Sequence, residues 1–335
     1  MLGLSNQTEG QTVALSKWAS KPIWRNRPFV CIFASHCVSL LGNAFHSIAL
    51  NLWVLQSTGS AKLMSVVLIA TLIVQMLFGT LAGTIADRVD RRVLMYLSDI
   101  SRFLLVAGMA LSMLIPGTSF YVILLLTVLT STAGLFYSPA FQASLVHLVA
   151  REQIQQASGA MVIADNVIRI SGFALGGIAV AVYGGVFALS LDAVSYLVSA
   201  LLLFAGGAFP SKPSGTQQQA TTFKEDFFFG LSFIWKEPMV RAALLLLPLL
   251  FMFFLSALML TQVMAVQVWL ASPFIFGLIE ACIPLGYVLG SGFIMIAGNR
   301  LKHRGIWILL SVVMLGPVYV LLSQTGSGGG RYRLF

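Results

Sequence analysis

Five residues able to carry charge or strong hydrogen bonds, Asn43, Asp165, Arg169, Asp192 and Glu280, stand inside long apolar stretches of this 335-residue chain. An ionisable side chain at bilayer depth costs a few kcal/mol or more, so such residues face a bundle interior or a water-filled cavity. Asp165 and Arg169 are spaced i,i+4, which on a helix lets them neutralise each other. Two chemistries suit the set. Asn43 and Arg169 line a polar cavity while a buried carboxylate, Asp165 or Glu280, takes up and releases a proton; alternatively, each residue is an interhelical polar clasp. Gln75, Gln262 and Gln267 add neutral hydrogen-bonding groups.

Other reactive side chains offer less. His36 and His46 share one apolar run but stand ten residues apart, and neither H-E-x-x-H nor a nucleophile-and-base motif occurs, which argues against an enzyme. No Gly-rich phosphate-binding run followed by Lys and Ser or Thr is present, so nucleotide-driven chemistry by this chain is not expected. No charged ring or filter repeat suggests a channel. No metal or cofactor is implied. Cys31, Cys37 and Cys282 lie within apolar runs without metal-ligand spacing and are expected to pack.

The elements that carry these residues are apolar runs long enough to cross a membrane. A hydrocarbon core of roughly 30 Å needs about 20 mostly apolar helical residues, because backbone polar groups must be satisfied within the segment. Nine runs qualify: 29–55, 64–86, 93–115, 120–145, 157–183, 186–209, 242–267, 274–297 and 305–323. With 58% hydrophobic and 9% charged residues and a mean hydropathy of +0.91, the chain is expected to be an all-α polytopic membrane protein.

Lys and Arg fall almost wholly on one side of these runs. Arg25 and Arg27 precede the first; Arg88, Arg91 and Arg92 follow the second; Lys236 and Arg241 precede the seventh; Arg300, Lys302 and Arg304 follow the eighth. The alternate loops offer only Lys62. Positive loops are retained in the cytoplasm, so the N-terminus is expected there, and Asp192 and Glu280 then enter the membrane from the outer side. Topology accounts for most of the net charge of +9, without a nucleic-acid partner.

The chain also repeats. Asp87-Arg88-Val89-Asp90-Arg91-Arg92 follows the second run and Asn299-Arg300-Leu301-Lys302-His303-Arg304 the eighth, and the same offset places Ser60 on Ser272. The expected organisation is a cytoplasmic segment 1–28, a six-helix bundle 29–209, a linker 210–241, a partial three-helix bundle 242–323 and a Gly/Ser-rich tail 324–335. Within the linker, Thr222 and Glu225 form a capping-box pattern, so an interfacial helix, lying on the membrane or packed on the bundle, is expected there.

The segment Gly83-Thr84-Ile85-Ala86-Asp87-Arg88-Val89-Asp90-Arg91-Arg92 resembles the G-x-x-x-D-R-x-G-R-R signature of the major facilitator superfamily. The stretches 136–140, 148–152, 191–196 and 276–281 resemble its bacterial drug-efflux branch, which includes macrolide-efflux proteins and the enterobactin exporter. That resemblance implies a multi-pass transporter of the bacterial inner membrane, exporting small amphipathic compounds by alternating access, with protons as the candidate coupling ion. It implies that Asp87, with Arg88, Arg91 and Arg92, forms a conformational latch, and that Asp99 and Arg102 belong to the same region; the alternative is that the arginines only anchor topology. Gly83 is expected to let a neighbouring helix approach. Asp90 replaces the family's glycine. Gly172-Phe173-Ala174-Leu175-Gly176-Gly177 resembles the glycine-rich stretch of antiporters, with Phe173 in place of its proline; Gly172, Gly176 and Gly177 are expected to pack helices closely. The family has twelve spans and this chain shows nine, so the resemblance also raises a truncated, transport-impaired chain as the alternative.

Overall fold

The computed structural model describes residues 22–207, 235, 238–297 and 304–324. Among them the regular structure is helical throughout, without strands. The helices are α1 (Arg27–Thr58), α2 (Ala61–Arg88), α3 (Arg91–Met113), α4 (Phe120–Leu148), α5 (Ile154–Tyr183), α6 (Gly185–Ala205), α7 (Pro238–Gln267), α8 (Pro273–Ala297) and α9 (Arg304–Gln324). Each overlaps one expected run, with α3 ending at Met113 and α6 at Ala205, before the expected ends. Eight, α1 to α8, contain a stretch long and apolar enough to cross a membrane; in α9 the apolar stretch among the described residues is Val313–Leu322. The expected interfacial helix, the second copy of the charged loop at 299–303 and the Gly/Ser tail lie outside the described residues.

Polar caps set where the helices begin. Asn26 accepts from Phe29 N at 3.5 Å at the start of α1 and donates its side-chain amide to Leu148 O at 2.6 Å. Ser60 Oγ accepts from Leu63 N at 3.4 Å, and Ser272 Oγ accepts from Ile275 N at 3.4 Å. The two serines matched by the repeat thus open α2 and α8 with the same geometry. Gly59, at φ +61°, closes α1 in the left-handed conformation that glycine adopts freely.

The α2–α3 turn has its own solution. Asp90, standing in place of the family's glycine, has φ −58°, and its carboxylate accepts from Arg92 N at 2.9 Å and Val93 N at 3.3 Å. A left-handed residue is not needed there. We expect Asp90→Ala to lower stability by about 1 kcal/mol and Asp90→Asn to lose much less, read as the denaturation midpoint of the detergent-solubilised protein.

The chain divides into two compact units, one holding α1 to α6 with α8, the other α7 and α9. In the first, α1 packs on α5 and α6, α3 on α4 and α6, α2 on α4, and α8 on α5. At one end a buried apolar cluster joins Phe29 and Ile32 of α1, Ala86 of α2, Met95 of α3, Phe141 and Leu148 of α4, Met161 of α5 and Leu203 of α6. Starts of odd-numbered helices meet ends of even-numbered ones, an up-and-down bundle. Large apolar side chains such as Ile69, Ile73 and Leu77 on α2 are exposed, as lipid-facing positions require.

Candidate functional site: a buried polar network

Polar side chains inside the first unit converge from α1, α3, α4, α5 and α6. On α1 they recur as Ser35, Ser39, Asn43 and His46, and on α6 as Asp192, Ser195, Tyr196 and Ser199, helical spacings that put each set on one face.

At the centre, Arg102 of α3 donates through Nη2 to Asn43 Oδ1 at 2.9 Å and to Tyr196 OH at 2.5 Å. Tyr196 OH in turn donates to Asn43 Oδ1 at 2.5 Å. The guanidinium carbon lies 4.0 Å from the Tyr196 ring centroid, a cation–π stack. A Cβ at Gly134 would stand 3.5 Å from Arg102 Nε, in ordinary contact with the guanidinium. Arg102 Nη1 stands 3.8 Å from Asp99 Oδ1, and Asp99 has no exposed surface. Ser199 Oγ donates to Asp99 Oδ2 at 2.5 Å and lies 2.7 Å from Ser35 Oγ, which is 3.4 Å from Tyr137 OH.

Two histidine–carboxylate pairs flank this centre. His46 Nδ1 is 2.9 Å from Asp192 Oδ2, joining α1 to α6 with Asp192 fully buried. His36 Nε2 is 2.7 Å from Asp165 Oδ1, joining α1 to α5, and the His36 ring stacks on Phe141 at 4.3 Å between centroids. The latter pair is the more open, with 18% of the His36 and 38% of the Asp165 side chain exposed.

The expected site residues separate accordingly. Asn43, Asp165 and Asp192 belong to the network. Arg169 does not pair with Asp165: among the described residues it has no ion pair and is exposed, because His36 reaches the carboxylate from α1. Glu280 is buried on α8, one turn beyond Gly277. Asp99 and Arg102, expected with the charged loop, lie in the bundle interior instead. In the loop itself, Arg91 Nη1 donates to Ala143 O at 3.0 Å and Arg92 Nε to Leu203 O at 3.0 Å, while Arg92 Nη2 also bonds Phe204 O. These guanidiniums hold carbonyls near the ends of α4 and α6. The side chains of Asp87 and Arg88 lie outside the described residues. Cys282, expected to pack, is exposed.

The glycines also differ from one another. A Cβ on Gly172 would stand 2.9 Å from Ala44 Cβ, and one on Gly176 3.0 Å from Phe45 Cδ1, both on α1. One on Gly177 would stand 2.7 Å from Pro273 O and 3.1 Å from Gly277 Cα, so α5 and α8 touch backbone to backbone there. At Gly83 a Cβ would find no atom within 4 Å among the described residues, so the close helix approach expected there is not seen.

His36 and His46, discounted from their spacing as a metal or catalytic pair, join the network with Tyr196 and Ser199. The polar stripes on α1 and α6 are the signal that carries them. No group of three or more His, Cys, Asp or Glu among the described residues is placed to hold a metal.

Residues 16–327 match the family described as transmembrane secretion effector. The chain is 31% identical over 229 residues to the MFS-type transporter YfiS of Bacillus subtilis, covering 67% of this chain and 54% of that one. It is 23% identical over 308 residues to macrolide efflux protein A of Streptococcus pyogenes, covering 89% and 74%. To multidrug efflux pump Tap of Mycobacterium tuberculosis it is 30% identical over 227 residues, covering 65% and 53%. The matches thus span about half the length of YfiS and of Tap. Eight membrane-length apolar helices, a polar network inside the first unit and a family match over nearly the whole chain lead to one conclusion: the protein belongs to the transmembrane secretion effector family of the major facilitator superfamily.

Proposed function

We propose that the protein exports small amphipathic compounds as a secondary active transporter, working by alternating access and driven by protons. The observation that carries this reading is the pairing of acids with bases inside an apolar bundle, two of the three pairs joining different helices, where ionisable groups are retained for pathways and relays. Similarity to proteins named for macrolide and multidrug efflux supports the direction of transport and the substrate class.

In this reading Asp165 is the coupling carboxylate, because the His36–Asp165 pair is the more exposed of the two histidine–carboxylate pairs; Glu280 on α8 is the alternative. A proton taken up by Asp165 weakens its hold on His36 and loosens α1 from α5. Gly172 and Gly176 keep those helices close enough for the pair to form and break. Asp87 and Arg88, with Arg91 and Arg92 fixed to α4 and α6, form the latch beside Gly83. The N-terminus is cytoplasmic, in accord with the distribution of Lys and Arg, and the bundles are 29–209 and 242–323.

The test is accumulation of a fluorescent amphiphile in bacterial cells lacking their own efflux pumps. Cells expressing the chain are expected to accumulate several-fold less than vector controls, and a protonophore is expected to abolish the difference. Asp165→Asn is expected to flatten the pH dependence of export. Equal accumulation with and without the chain would refute the export reading; a difference that survives the protonophore would refute proton coupling.

A further inference from the structure

Away from the helix ends, α1 to α6 carry seven ionisable residues of the Asp, Glu, Lys, Arg and His types: His36, His46, Asp99, Arg102, Asp165, Arg169 and Asp192. Six form three acid–base pairs: His36 with Asp165, His46 with Asp192, and Arg102 with Asp99. Arg169 is left over. It is exposed and has no ion pair or hydrogen bond among the described residues. The nearest carboxylate along its own helix, Asp165, is engaged by His36, and the neighbouring Asn166 side chain is turned back onto Val162 O at 2.8 Å.

Its position near the middle of α5 argues against a role as an interfacial anchor. Arg169 is the sixteenth residue of the 30-residue α5, so about 21 Å of helix separates it from either end. The side chain is far too short to bring its charge to the headgroups. Its direction is away from the broadest exposed apolar face of α5, although exposed Val162 lies on its own side. At 100° per residue, Ile163, Val167, Ile178 and Val182 form an exposed apolar face of α5, and Arg169 projects from the opposite side. That side lies between the row that meets α1, with Asp165, Gly172 and Gly176, and the row that meets α8, with Phe173 and Gly177. A guanidinium there, with no counter-ion among the described residues, needs water and an external anion.

We propose that Arg169 is the specificity-determining residue of the transport pathway and that it binds the anionic group, a carboxylate or equivalent, of an amphipathic substrate. The inference rests on the export reading and deepens it. Arg169 favours an amphiphile with a negative head over one with the same apolar body and a positive head. A planar guanidinium also receives a carboxylate through two parallel hydrogen bonds, which a lysine does not supply.

The test uses two dansyl amphiphiles of equal chain length, one ending in a carboxylate and one in an amine, titrated against the purified full chain in neutral detergent. Wild type is expected to bind the acid on the order of tenfold more tightly than the amine. Arg169→Lys should retain part of the preference, and Arg169→Gln should abolish it by weakening binding of the acid, with the denaturation midpoint unchanged. Equal affinity of wild type and Arg169→Gln for the acid, wild-type preference for the amine, or no binding of the acid would each overturn the proposal. Uptake of the acid into everted vesicles is measured in parallel. An Arg169-dependent preference in binding without uptake would remove the export reading and leave the anion site standing.

Discussion

Replacing Arg102 by Leu is expected to cost about 3–5 kcal/mol, because it strands a buried carboxylate. In the native protein the guanidinium serves Asn43, Tyr196 and Asp99 together and stacks on the Tyr196 ring. Without it, Asp99 keeps only the hydroxyl of Ser199, in a place where none of its surface reaches solvent. Asn43 and Tyr196 retain each other, so the loss centres on the Asp99 charge. The variant Asp99→Leu strands the arginine instead and should cost a similar amount. The double variant removes both charges and is expected to lose clearly less than the two singles together, the coupling that a double-mutant cycle isolates. Denaturation midpoints in detergent measure all three. Additive losses would show that the residues do not act as a unit, and an Arg102→Leu protein as stable as wild type would remove the network from the account of the fold. Arg169→Gln supplies the contrast, since no group among the described residues bonds to that side chain.

Gly42→Ala should be nearly as damaging, through volume rather than charge. A Cβ at Gly42 would lie 2.5 Å from Asp192 Oδ1 and 2.8 Å from Ser195 Cβ, with Ser195 Oγ closer still. Ser195 can rotate, at the loss of its 2.7 Å bond to Asp192 O. Asp192 has less freedom, being fully buried and held by His46. The substitution must therefore push α1 from α6 or break the His46–Asp192 pair, and overpacking of this kind costs about 1–3 kcal/mol. Gly79 is the control: nothing lies within 4 Å of a Cβ there, and Gly79→Ala should be neutral or stabilising by up to about 1 kcal/mol through helix propensity. If both substitutions lower the midpoint equally, the close approach of α1 and α6 is not what Gly42 provides.

The contrast between these glycines marks what a single sequence conceals. Gly42, Gly79 and Gly83 all sit in apolar helices, and only the neighbouring helix distinguishes them. Gly83 belongs to a recognisable motif yet has no close neighbour among the described residues; Gly42 belongs to none and has the tightest contacts. The charges behave alike. Asp165 and Arg169 are ideally spaced to pair on one helix, but His36 of α1 stands closer to the carboxylate, and that depends on how α1 is rotated about its axis. Asp99 and Arg102 follow the charged loop in the chain, but one turn or more further along α3 they are already inside the bundle.

The amino-acid sequence by itself determined the membrane class, the position of each apolar helix and the family. The bilayer explains this: it forces every backbone polar group to be satisfied within its own segment, so length and composition suffice to locate a span. The sequence also held the polar faces of α1 and α6, readable as stripes at helical spacing. Tertiary structure alone decided that these faces meet, that Asp165 and Asp192 each find a histidine on α1 and that Arg169 finds no partner among the described residues. Those outcomes rest on contacts between residues 59 to 146 positions apart in the chain, set by the rotation and register of packed helices, which no local pattern records.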